Sequence, residues 1–84
     1  MPVKLYKYKN NQCNISGSKI RQLREKANLS QEQLAVKCQL VGLNLNQKAI
    51  SRIETGDRVV PDFELLLFSK VFHVTIYELL EFED

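Results

Sequence analysis

Apolar residues recur along most of this chain at the three- and four-residue spacing of an amphipathic helix, not in the alternation of a strand. Ile20, Leu23 and Ala27 share one face, which predicts a first helix ending near Ala27 and starting from Ser16 or Ser18, either of which suits an N-cap. Leu34, Ala35 and Cys38 give the inner face of a second helix. Its start is a capping box, with Ser30 at the cap and Gln33 three places on. Asn46 reads as the N-cap of a third helix over 47–55, in which Ile50 and Ile53 face inward and Gly56 supplies the left-handed residue at the end. Pro61-Asp62 opens a fourth helix to Phe72. Thr75 with Glu78 makes a second capping box, for a short last helix over about 76–82. His73, between these two, tolerates a left-handed backbone better than most residues and takes a capping role. The pattern predicts an all-α domain of five helices.

Composition narrows what such a domain does. At 84 residues, 44% of them apolar and 26% charged, the chain suits one small folded domain and argues against disorder. The longest apolar run, over 65–68, is too short to span a bilayer, and no leading apolar segment reads as a signal peptide. Cys13 and Cys38 make no disulfide framework and, with a single histidine, no metal-ligand spacing. Cys38 reads as a small buried hydrophobe and Cys13 as an unpaired loop thiol. The absence of a nucleophile–base pair or a Gly-rich phosphate loop argues against an enzyme. A reduced cytoplasmic protein with neither metal nor cofactor is expected.

The net charge of +2 conceals a split. Residues 1–58 hold eleven Lys/Arg against four Asp/Glu, whereas residues 59–84 hold one Lys against six Asp/Glu. One side of the molecule therefore attracts polyanions. Residues 1–15 form a polar basic arm, with Lys4, Lys7 and Lys9 interleaved with Leu5, Tyr6 and Tyr8, ahead of a helical domain over 16–84. A terminus without fixed structure is expected of the arm, with lying along DNA as the alternative.

The order Ile20-Arg21-x-Leu23-Arg24, Leu29-Ser30-Gln31-x-x-Leu34-Ala35, Ile50-Ser51-x-Ile53-Glu54-x-Gly56 resembles the lambda repressor/Cro family of XRE-type helix-turn-helix proteins. The similarity continues through Glu64-Leu65-Leu66, Phe72-His73-Val74 and Leu79-Leu80, so it covers about residues 19–80. It implies a double-stranded DNA-binding regulator whose third helix reads bases. Carried over, the base-reading positions are Gln47, Lys48 and Arg52, and Gln31 is a phosphate contact at the start of the second helix. The resemblance also implies an ion pair between Arg24 and Glu54 that holds helix 3 against helix 1. The residues suit these roles. Gln47, Lys48, Ser51 and Arg52 fall on the outward face; Gln pairs bidentately with adenine, and Arg or Lys with guanine. The bland alternative is the polar face of any amphipathic helix. Asn46, besides capping its helix, and Arg58 are further candidates for phosphate contact; the bland alternatives are a solvated first-turn residue for Gln31 and a solvated loop cation for Arg58.

One departure stands out. Ala35 and Ile50 are fifteen steps apart, about five more than a tight helix-turn-helix connection allows. The surplus lies near 39–43, and the apolar residues Leu40, Val41, Leu43 and Leu45 suggest a longer second helix that folds back onto the core, with Gly42 or Asn44 as a left-handed turn residue. Extra contact with DNA or a partner subunit is the alternative. Leu67 and Val71, four apart on helix 4, read as a dimer surface, with scattered surface apolar residues as the alternative. The reading that follows is a sequence-specific repressor acting as a homodimer on a near-palindromic operator. Its rival is a protein-binding adaptor or antitoxin on the same fold, which the basic, amide-rich third helix disfavours.

Overall fold

The computed structural model describes Tyr8 and residues 11–81. Among these residues the chain forms five helices and no strand: α1 (Gly17–Lys26), α2 (Gln31–Leu40), α3 (Gln47–Thr55), α4 (Asp62–Phe72) and α5 (Ile76–Leu79). α3 packs against both α1 and α2, and α4 joins α2 to α5. Every helix gives at least one residue to the core: Ile20, then Leu34, Ala35 and Cys38, then Ile50 and Ile53, then Phe68, and finally Leu79. Most of these are the inward positions read from the apolar periodicity, but Leu23 is only half-buried beside the core, and Ala27, expected on the same face, is exposed just past the end of α1.

Local chemistry sets most of the boundaries. Ser30 Oγ accepts from the Gln33 N–H at 3.0 Å while Gln33 Oε1 accepts from the Ser30 N–H at 2.8 Å, which closes the capping box of α2. Asn46 Oδ1 accepts from the Ala49 N–H at 2.8 Å at the start of α3. Thr75 and Glu78 repeat the box at α5, which stops at Leu79, short of the expected end; Phe82 lies outside the described residues. The C-terminal ends share one device. A residue at positive φ follows each of the first four helices, namely Asn28, Gly42, Gly56 and His73. The next residue's N–H then returns to a carbonyl five back: Leu29 to Arg24, Leu43 to Cys38, Asp57 to Arg52 and Val74 to Ser69.

The start of α1 differs from expectation. Ser16 stands at the N-cap position but is already helical and makes no side-chain cap bond, and Ser18 lies within the helix. Asn14 does the capping, its Oδ1 accepting from the Gly17 N–H at 2.7 Å. Packed structure therefore begins before the boundary that composition suggests at residue 16.

The longer α2–α3 connection turns its apolar side chains inward and leaves its polar ones outside. α2 runs to Leu40, Gly42 reverses the chain at φ 86°, and Leu43 and Leu45 then point into the core, with Val41 half-buried beside them. Leu40 corrects the expectation that all four apolar residues pack, since it is 80% exposed. It lies two residues beyond the inward Cys38, about 200° around the helix, and so points away from the core.

Candidate nucleic-acid interface

α3 is amphipathic because its inward residues, Ile50 and Ile53, are fully buried while Gln47, Lys48 and Arg52 are exposed and Ser51 is half-buried. Asn46 caps this helix and remains exposed. The only carboxylate within α3 is Glu54, and it does not face out: its side chain is 3% exposed. A polyanion approaching this face meets amide, ammonium, hydroxyl and guanidinium groups.

Glu54 is held by a fork of bonds from Arg24. Arg24 Nε donates to Glu54 Oε2 at 2.6 Å and Nη2 to Oε1 at 3.1 Å, while Nη1 donates to the Leu29 carbonyl at 2.8 Å. The bond to Glu54 and its negative charge hold the Arg24 guanidinium above its ordinary pKa, so it stays charged. This pair ties α1, the turn before α2, and α3 together.

The same carboxylate orients the outer face. An ionised carboxylate only accepts, so Gln31 turns its amide nitrogen toward it, and Nε2 donates to Glu54 Oε1 at 3.0 Å. Gln31 Oε1 is then presented to α3, where it accepts from Gln47 Nε2 at 2.6 Å. The polarity passes along the row. Gln47 spends one N–H on Gln31 and keeps its carbonyl and second N–H for whatever lies outside, the donor–acceptor pattern that matches the N7/N6 edge of adenine. Gln31, read from sequence as a phosphate contact, thus has both ends of its amide engaged within the protein and one N–H to spare.

Arg58 also has a partner that neither sequence reading anticipated. Its Nη1 and Nη2 meet Glu64 Oε1 and Oε2 at 2.7 and 3.0 Å, and Nη1 also donates to the Val59 carbonyl at 3.1 Å. Glu64, with a side chain 7% exposed, precedes the buried Phe68 by one turn on the inward side of α4 and needs a cation there. That acidic residue within an otherwise apolar stripe was the available signal. The hydrogen bonds to Glu64, and its charge, raise the Arg58 pKa. The guanidinium is turned toward Glu64 and the Val59 carbonyl, with about a quarter of the side chain still exposed (27%).

Arg52 remains on the surface, where Nη2 donates to the Asp57 carbonyl at 3.3 Å. Leu67 and Val71, read from sequence as a dimer surface, are half-buried against the core. Phe63 and Leu66 are the α4 apolar residues that face out. Cys38 is buried and Cys13 half-buried, both as free thiols. Lys4, Lys7 and Lys9 lie outside the described residues. Among the described residues, no cluster of three metal-ligating side chains occurs and no helix is long and apolar enough to cross a membrane.

A family model described as helix-turn-helix matches residues 20–79 of this chain, from the first core residue of α1 to the last of α5. Neither the curated proteins nor the solved structures yield a match.

Proposed function

The chain belongs to the XRE, lambda repressor-like helix-turn-helix family of DNA-binding regulators, and from that premise we propose that it is a sequence-specific transcriptional repressor, acting in the cytoplasm as a homodimer on a near-palindromic operator. The observation that carries this reading is the outward face of α3, where Gln47, Lys48, Ser51 and Arg52 stand together while the helix's own carboxylate is buried and neutralised by Arg24. A helix with that face enters the major groove and hydrogen-bonds base edges; one carrying acidic or apolar residues there would not.

In this mechanism α3 supplies sequence and its surroundings supply affinity. Gln47, pre-turned by Gln31, offers an acceptor and a donor to adenine, and Arg52 and Lys48 offer donors to guanine. Each good bidentate pair is worth roughly 1–3 kcal/mol of discrimination. Asn46 and the spare N–H of Gln31, at the N-terminal ends of α3 and α2, reach the phosphates that the helix dipoles favour. A two-fold dimer sets its two α3 helices about 34 Å apart, one turn of B-DNA, which is why the operator is expected to be near-palindromic. Occupancy of such a site excludes other proteins from it, and repression follows.

Fluorescence anisotropy of labelled random-sequence duplexes against protein, at several salt concentrations, tests the first half of this reading. Affinity is expected to fall steeply with salt, and selection from the same pool is expected to yield a near-palindrome. R52A and K48A are expected to weaken the selected duplex more than a scrambled one. Absence of binding even near 50 mM salt, where phosphate contacts are strongest, overturns the proposal and favours a protein-binding role for the fold.

A further inference from the structure

We propose that Asn14 is a positioning residue for DNA reading, fixing the tilt of the recognition helix by clamping its C-terminal end to the start of α1. The proposal rests on the function proposed above for the effect on DNA, and on geometry alone for the clamp. Asn14 precedes residues 20–79, the span that matches the family, so nothing in that match assigns it a role.

Its amide joins the start of α1 to the end of α3 and the loop that follows it, 39 and 44 residues along the chain. Nδ2 donates to the Ile53 carbonyl at 3.1 Å, in the last turn of α3, and to the Arg58 carbonyl at 2.7 Å, in the α3–α4 loop. Oδ1 accepts from the Gly17 N–H at 2.7 Å, at the first residue of α1. Two carbonyls and one N–H converge on this point, and an amide is the short side chain that offers two donors and an acceptor together. An aspartate would keep the bond to Gly17 but turn an acceptor onto two acceptors. A serine would keep a single donor.

The surroundings make the clamp close-fitting. A Cβ added at Gly17 would run into the Ile53 carbonyl oxygen, so the start of α1 touches the backbone of α3 at a place where no side chain fits. Next to Asn14, the Cys13 N–H donates to the Gly56 carbonyl at 2.7 Å, just past the end of α3. Backbone and amide together hold both the last turn of α3 and the residue that ends it.

This chain needs such a clamp because its α2–α3 connection is long. A tight turn transmits the direction of one helix to the next, whereas here residues 41–46 intervene and the chain reverses at Gly42 before α3 begins. The direction of α3 is therefore set from the α1 side. Gln31 orients its first residue, Arg24 holds Glu54, and Asn14 holds the far end. Releasing the far end lets the helix pivot on Ile50 and Ile53, which misplaces Gln47 and Arg52 relative to base edges while leaving the basic surface, and hence phosphate attraction, unchanged.

The test uses the full chain with Asn14→Asp and, as a milder replacement, Asn14→Ser. Residual dipolar couplings give the direction of α3 relative to α2 without DNA. Anisotropy gives the ratio of affinities for a duplex selected by the wild-type protein and a scrambled duplex of equal length. In whichever variant remains helical by circular dichroism, α3 is expected to change direction and the ratio to fall roughly tenfold, the loss of one good base contact. Binding to the scrambled duplex and its salt dependence are expected to stay as in wild type. A folded variant with wild-type couplings and a wild-type ratio overturns the proposal. If the wild-type protein itself does not discriminate between duplexes, the proposed function fails, and the couplings alone then decide on the clamp.

Discussion

Replacing Arg24 by alanine puts the greatest strain on the architecture of the interface. The substitution removes two hydrogen bonds to Glu54 and one to the Leu29 carbonyl, and leaves the 3%-exposed Glu54 carboxylate with Gln31 as its remaining partner. An uncompensated charge of this kind costs about 3–5 kcal/mol. A domain of 84 residues has a total stability of roughly 4–12 kcal/mol, so the variant loses about a quarter of it or more. With about 4–8 °C of melting temperature per kcal/mol at this size, the midpoint is expected to fall by roughly 12–40 °C. Thermal and urea unfolding followed by far-ultraviolet circular dichroism measure this directly. The double variant R24M/E54Q supplies the internal check: with both charges gone no lone carboxylate remains, and it is expected to be more stable than R24A. An R24A midpoint within about a degree or two of wild type would refute the reasoning, as would a double variant worse than the single one.

Three other perturbations separate neighbouring ideas. R58A is expected to cost about 2–3 kcal/mol in urea unfolding by orphaning Glu64, and to leave the salt dependence of DNA binding unchanged; a shallower salt slope would put Arg58 on a phosphate. L43A is expected to cost about 2–4 kcal/mol and L40A less than about 0.5, although both lie in the same apolar stretch; equal costs would contradict the inward turn at Gly42. Burial, reinforced by the Glu64 carboxylate, pushes the Cys38 thiol up to about 11 from its ordinary 9.0. The unfolded chain then ionises first, so this contribution is complete below pH 9 and is lost as pH rises toward 11. The stability advantage of wild type over C38A is expected to shrink by about 2–3 kcal/mol across that interval, and a constant difference would argue against a buried neutral thiol.

What could be read in advance was what local chemistry decides. The boundaries of α2, α3 and α4 follow from residues within four positions of each end, such as Ser30 with Gln33, Asn46 with Ala49, and Gly56 just past Thr55. The start of α1 was not legible in that way. Two serines offered themselves, and the residue that caps is chosen by a site whose other partners lie 39 and 44 residues further along. Leu40 and Leu43 look alike in a window of apolar residues, and only the reversal at Gly42 decides which of them is inside. The outward face of α3 was visible as a pattern. The row from Arg24 through Glu54 and Gln31 to Gln47 was visible only in pieces, because the resemblance suggested the ion pair and the first-turn amide separately and said nothing about how one orients the other.

The clamp at Asn14 and Gly17 also bears on modularity. A helix-turn-helix is often pictured as a two-helix cassette, α2 and α3 with their turn, that can be moved between scaffolds. In this chain the cassette would leave behind Arg24 and Asn14, the groups that hold the second helix from outside, and the glycine whose missing side chain lets it come close. A transplant that begins at Ser30 would keep the letters of the recognition helix and lose their angle. If the proposed clamp holds the recognition helix, the smallest portable unit begins at Cys13, well upstream of the two helices that give the motif its name.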